Sequence, residues 1–349
     1  MIFAANCEKK SDKKLVLERS VGSLLGQLIG DAIGFRYQYR FAIDIRKQIA
    51  MDRDENGFLP IRGSGVFDFP PGQVSEGSEL CMMLVRSLSR VRKLSLTDIA
   101  NNLVRWAESE PLIVDETLAN VLHINGPISS IRFLPAEQVE KLIVANATIR
   151  NSRNFSNKCL FFAVPLAISS AHTVGPSLAP LIAGLFQPNQ VVVDALQTLI
   201  ATVRSLIISN NVETALNVAR ATSCTKTIKD HISGSAVKPH PHPESEYSIR
   251  EELPIDYLGI ALQCSLYQLA NAKSFAEGIE NALKIGGDTI ANAAITGAIL
   301  GARFGVNNIP KQWKDTVLKA TLDRHKTFPD VCCSDISNLV DNLLSRVTL

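Results

Sequence analysis

The chain has 349 residues, 46% of them apolar and 20% charged, a globular composition that excludes a disordered or fibrous polypeptide. A formal net charge of +2 is too near balance for a nucleic-acid footprint, so no nucleic-acid partner is expected. The length permits one large domain or two average ones, with enough chain for a sizeable core.

The apolar run at the N-terminus is too short for a signal peptide. Lys9, Lys10, Lys13 and Lys14 follow it, and residues 1–14 are expected to be a flexible tail. Over 15–35, Leu17, Val21, Leu24, Leu25, Leu28 and Ile29 recur three and four apart and predict a helix. Residues 52–71 are polar and proline-rich and read as a long loop. Helical periodicity returns over 79–91 and 97–106. Residues 159–186 are the most apolar, but Pro165, His172, Pro176 and Pro180 interrupt them. They read as buried core, no 18-residue apolar run is found, and no membrane partner is expected.

Residues 191–208 predict a central helix buried on several sides. A second polar loop is expected over 223–252. It contains His240 and His242, two histidines that could ligate a metal, but Pro241 and Pro243 favour a plain exposed loop. A helix follows over 253–269, then a capping box, Ser274 with Glu277, opening a short amphipathic helix. In 288–305, Ala293, Gly297, Gly301 and Gly305 recur every fourth residue and share one face. Each glycine costs a helix about 1 kcal/mol relative to alanine, so this stripe predicts a second helix in very close contact. The N-terminus of this helix, at Asp288, is expected to open into a site. Ser334 is expected to cap the last helix, over 335–344.

Strand signals are few, so the fold class is all-α, with one many-helix domain over 15–349. The seven cysteines are odd in number and form no C-x-x-C pair. They read as reduced thiols in a reducing compartment, the cytoplasm.

Three segments carry a resemblance. They are Gly26-Gln-Leu-Ile-Gly-Asp-Ala-Ile-Gly34, Ser75-Glu-Gly-Ser-Glu-Leu80, and Gly286-Gly-Asp-Thr-Ile-Ala-Asn-Ala-Ala294 continuing through Gly305 to Ile309-Pro-Lys-Gln-Trp313. Their order and spacing resemble the ADP-ribosylglycohydrolase family, which includes dinitrogenase-reductase-activating glycohydrolase and the ADP-ribosylarginine hydrolases. The resemblance implies a compact orthogonal helix bundle with two divalent ions, magnesium or manganese, in a central cleft. It also implies cleavage of the glycosidic bond between ADP-ribose and an acceptor, with ADP-ribose or an ADP-ribosylated protein as partner. Hard cations take oxygen ligands, chiefly carboxylates, and can orient sugar hydroxyls and a water.

The departures fall on the donors. Ser75-Glu-Gly-Ser78 stands where the family has Thr-Asp-Asp-Thr, and Asp288-Thr-Ile-Ala291 where it has Asp-x-Asp-Thr. The glutamate after the first motif falls at Gln38. Of about five carboxylates that the family implies, Glu76 and Asp288 are left. Two carboxylates against two divalent ions leave a charge deficit in a partly desolvated cleft. A two-metal centre is therefore not expected. At most one weak Mg or Mn is expected on Ser75, Glu76 and Asp288. In Ser156-Asn-Lys-Cys-Leu-Phe-Phe162, Lys158 replaces a glycine and Phe162 an arginine. The family's following histidine falls at Gln187.

The expected catalytic residues are Glu76 and Asp288, and the expected ligand-binding residues are Asp31, Asn157, Lys158 and Gly287. Three readings follow: a catalytically impaired pseudo-hydrolase that keeps the fold and a binding role; an active hydrolase with a remodelled single-metal or metal-free site; and a crystallin-like structural scaffold.

Overall fold

A computed structural model describes residues 2–64, 68–122, 133–172, 177–239, 254–320 and 328–346, with side chains from residue 12 to 345. Every regular element among them is helical, as the sparse strand signals predict. The longer helices are α1 (Ile2–Gly34), α2 (Ala42–Asp52), α3 (Glu76–Val91), α4 (Leu96–Glu108), α5 (Glu116–Leu122), α6 (Ala136–Arg150), α7 (Ala163–Ser169) and α8 (Ala179–Phe186). They continue as α9 (Gln190–Ser209), α10 (Val212–Thr222), α11 (Lys226–Gly234), α12 (Leu258–Asn271), α13 (Phe275–Leu283), α14 (Thr289–Phe304), α15 (Lys311–Leu318) and α16 (Ile336–Arg346). The His240–His242 segment lies outside the described residues.

The close helix pair predicted from the glycine stripe is α14 against α1. Gly22, Gly26 and Gly30 of α1 face Gly301, Gly297 and Ala293 of α14. A Cβ added at Gly26 would lie 2.2 Å from the Gly297 carbonyl oxygen, and one at Gly301 would lie 1.9 Å from that of Gly22. The two backbones are thus in direct contact, which only residues without a side chain permit. Ser23 Oγ crosses the seam to donate to the Ala298 carbonyl at 2.8 Å. Around this pair the core holds Leu24, Leu25, Leu28 and Ile29 from α1 and Ile295, Ile299 and Leu300 from α14, all buried. The Ile-Pro-x-x-Trp segment ends in Trp313, which packs on Phe58 and Phe275 and donates its indole N–H to the Leu59 carbonyl at 2.6 Å.

Three sequence expectations need correction. First, helical backbone begins at Ile2, so α1 starts well before residue 15, where the apolar periodicity placed it. Second, α9 has the length and composition of a membrane span, although no such run was expected. More than half of its most apolar window (56%) is buried inside the bundle. Third, the expected loop 223–252 contains α11. Buried Asp194 of α9 accepts from the Cys224 and Thr225 backbone N–H groups and from Thr225 Oγ1. Thr225 Oγ1 in turn accepts from Ile228 N–H, capping a nine-residue helix. A tertiary anchor thus joins a local signal, the Thr225 cap and the buried pair Ile228 and Ile232 four residues apart. None of the six described cysteines is paired.

Candidate functional site

The C-terminal part of α1 presents Asp31, fully buried, to the start of α3. Asp31 Oδ1 accepts from Ser75 N–H at 2.7 Å, and Oδ2 accepts from Ser75 Oγ at 2.6 Å. Burial pushes this carboxyl up to about 7, against the opposing pull of the Ser75 hydrogen bonds. Ser75 is the residue before α3, so the pair fixes where Glu76 enters the first turn of that helix.

Lys158 reaches Glu76 from a 3-10 turn, Asn157–Phe162. Its ammonium lies 2.5 Å from Glu76 Oε1 and 3.0 Å from Asp115 Oδ2. The Lys158 and Glu76 side chains are 7% and 10% exposed, that of Asp115 26%. Asp115 Oδ1 meanwhile accepts from Leu118 N–H at 2.8 Å, capping α5. Burial alone would lower the Lys158 pKa, but Asp115 and Glu76 outweigh it and hold this group above the ordinary lysine range.

Asp288 is the N-cap of α14. Its Oδ1 accepts from Ala291 N–H at 3.1 Å and from Gln38 Nε2 at 2.9 Å, and its Oδ2 accepts from Asn157 Nδ2 at 2.7 Å. Gln38 Oε1 accepts from Ile290 N–H at 3.0 Å, so one amide spans the first turn of α14. The Asn157 backbone N–H donates to the Asp256 carbonyl at 2.8 Å, tying the segment before α12 to the same place. The Asp256 carboxyl is raised by burial and by the neighbouring charges of Asp288 and Asp115.

These residues line one cleft of about 180 Å³, walled by Gln38, Tyr39, Ser75, Glu76, Asp115, Asn157, Lys158, Phe161, Asp256, Asp288, Ile290 and Ala291, among others. Five expected site residues therefore meet: Ser75, Glu76, Asn157, Lys158 and Asp288. Two stand back from the lining. Asp31 sits beneath Ser75. Gly287, at φ +70°, pairs its backbone with Tyr39 and Arg40.

The expectation that only Glu76 and Asp288 supply carboxylates is corrected, because Asp115 and Asp256 also line the cleft. Neither lies in a motif segment. Asp115 carries a helix-start signal, three residues before Leu118, but nothing local ties it to Lys158.

The ADP-ribosylglycohydrolase family profile matches residues 12–348. The chain belongs to the ADP-ribosylglycohydrolase family. It is 22% identical over 321 residues to ADP-ribosyl-[dinitrogen reductase] glycohydrolase of Rhodospirillum rubrum, covering 85% of this chain and 90% of that protein. It is 23% identical to the ADP-ribosylarginine hydrolase Tri1 of Serratia proteamaculans, covering 87% of this chain and 76% of that protein. A solved structure described as an ADP-ribosylglycohydrolase-related protein complex superposes with a TM-score of 0.66 at 19% identity, covering 96% of this chain and all of that one. This likeness establishes the shared all-α fold.

In this ADP-ribosylglycohydrolase-family chain, the positions where the resemblance implies other residues are closely packed. A Cβ at Gly77 would lie 2.8 Å from the Phe161 ring, which packs over the space a longer side chain would need. Phe162 is buried and stacks on Phe186, ring centroids 4.8 Å apart. Gln187 is fully buried. Its Oε1 accepts from Cys159 N–H, and its Nε2 donates to Asn154 Oδ1 and the Ser156 carbonyl, organising the loop before Lys158.

Proposed function

We propose that this chain is an ADP-ribosylglycohydrolase-family protein that does not run two-metal hydrolysis and keeps its cleft to bind an ADP-ribosyl group, free or on a protein. The observation that carries this reading is that the remaining family donors are already engaged. Ser75 Oγ donates to Asp31, Glu76 faces the Lys158 ammonium, and Asp288 accepts from three N–H donors. A carboxylate offers about four lone-pair sites, so Asp288 has little capacity left for a metal.

The donor set therefore does not fit the pair of divalent ions that the family implies. Ile290 and Ala291 add apolar wall where a hard cation needs oxygen. Reinstating a carboxylate at position 77 would drive its side chain into Phe161.

The cleft suits a sugar. Enclosed sites for drug-sized ligands run to roughly 300–1,000 Å³, and about 180 Å³ admits the ribose end while the rest of the ligand lies at the mouth. Ribose hydroxyls can donate to Asp256 and to the remaining capacity of Asp288. At the cleft stands Tyr39, 60% exposed, in the left-handed region at φ +60° and held by a 2.9 Å bond from its N–H to the Gly287 carbonyl. Backbone of this kind persists where the surroundings over-determine it, often at ligand sites. Its ring offers a stacking face for the base.

Two assays test the proposal. ADP-ribosylated arginine peptide incubated with the protein and Mn²⁺ or Mg²⁺ should release no ADP-ribose above the uncatalysed rate. Calorimetric titration with ADP-ribose should give the same affinity with manganese or with a chelator. Metal-stimulated release would overturn the proposal. Release that persists in chelator would point instead to a remodelled metal-free hydrolase.

A further inference from the structure

Among the described residues, four carboxylates, Glu76, Asp115, Asp256 and Asp288, line the cleft, and Lys158 is the one basic side chain that lines it with them. The charge balance is therefore not the shortage of anionic donors expected from the motifs alone. It is an acidic cleft that already contains a cation. Lys158 touches two of the four acids, at 2.5 and 3.0 Å, and its side chain is only 7% exposed. The Phe161 ring centroid lies 5.5 Å from Nζ, which closes off a further approach. An ammonium on a buried stem cannot dissociate, and it has no lone pair with which to ligate a metal.

We propose that Lys158 is the cleft's resident cation, a tethered ammonium that neutralises the Glu76–Asp115 pair on which a divalent ion would otherwise settle. This rests on the reading that the cleft does not hold a metal pair, and it adds the cause. Glu76 and Asp115 in turn compensate the buried Lys158 charge. Removing one partner of a buried ion pair leaves uncompensated charge, a state that a mobile cation can relieve. Neutralising Lys158 should therefore turn a metal-indifferent cleft into one that binds a single divalent ion. One ion and not two is expected, since Ile290, Ala291 and the capped Asp288 are unchanged.

The experiment compares the full chain with Lys158→Gly, Lys158→Gln and Lys158→Arg, by Mn²⁺ titration (loss of the free-ion paramagnetic signal) and by thermal unfolding with and without Mn²⁺. Both neutral variants should bind one Mn²⁺ per chain at least about tenfold more tightly than the parent, as expected when a like charge leaves the site. Their melting temperatures should fall without metal and recover with it. Lys158→Arg should show no gain. Adding Glu76→Gln to Lys158→Gln should abolish the gained binding.

Folded neutral variants with the parent's Mn²⁺ affinity would overturn the proposal. Lys158→Gln keeps much of the stem, so it decides the matter if the glycine variant does not fold. Unfolding of both that Mn²⁺ fails to reverse also counts against it, because a counter-ion role should be replaceable from solution. Two Mn²⁺ bound by the unaltered chain would instead overturn the functional reading above.

Discussion

Asp31 is enclosed completely, and its two oxygens accept from the Ser75 N–H and hydroxyl, neither of them charged. Its folded pKa of about 7 lies above the ordinary aspartate value. Its protonated form is thus the one the fold prefers, and that contribution to stability is present below about pH 4 and lost as pH rises through about 7. Asp31→Asn should remove this slope. Denaturant unfolding should show the variant gaining on the parent from pH 4 to pH 8 by on the order of 2–4 kcal/mol, and a parallel pair of curves would contradict the assignment. At the cleft mouth, Tyr39→Ala should weaken ADP-ribose binding about tenfold, since base–aromatic stacking contributes roughly 1–3 kcal/mol, and calorimetry reads the loss. At this scale the sequence was legible where chemistry sits in a motif. Ser75, Glu76, Asn157, Lys158 and Asp288 converge as their segments implied. Asp115 and Asp256 did not stand out, because an isolated aspartate carries no periodicity and its partner is far away in the chain. Gly287 holds backbone pairing that a glycine-rich turn alone does not distinguish from ligand contact.

Helices were legible in proportion to how local their determinants are. Ser274 Oγ accepts from Glu277 N–H at 3.1 Å, as the capping-box pattern predicts, and the stripe in 288–305 did announce a close neighbour. Its partner was left unnamed there, although Gly22, Gly26, Gly30 and Gly34 repeat every fourth residue in α1. By contrast the start of α11 is also anchored by Asp194 of α9, and the polar composition around it read as a loop although Ile228 and Ile232 stand four apart. The seam yields a paired prediction. At Gly297 an added Cβ would lie 2.0 Å from the Gly26 carbonyl oxygen, whereas at Gly184 in α8 nothing lies within 4 Å. Gly297→Ala should therefore destabilise by about 2 kcal/mol or more through overpacking. Gly184→Ala should be neutral or stabilise by up to about 1 kcal/mol through helix propensity. Chemical denaturation of the two variants beside the parent checks both signs.

The whole molecule gathers its cleft from Gln38, Glu76, Asp115, Lys158, Asp256 and Asp288, positions spread over most of the chain. The field there is acidic although the chain as a whole is slightly basic, at +2. A diphosphate approaching four carboxylates and one ammonium is repelled, and added salt screens that repulsion. ADP-ribose affinity should accordingly rise, not fall, as sodium chloride is increased, and calorimetry across a salt series measures the slope. A steep loss with salt would mean that a basic surface holds the phosphates. One consequence belongs to the α1–α14 seam alone. Asp31 rides on one of these helices and Asp288 caps the other, with backbone pressed on backbone between them. Inserting or deleting a residue in either helix would advance it by about 1.5 Å and rotate it by about 100°, jamming side chains into glycine notches cut for a single register. The register between Asp31, which holds Ser75 beneath the cleft, and Asp288, which lines it, is thus fixed like teeth in a rack, and side-chain exchanges in place leave that register untouched.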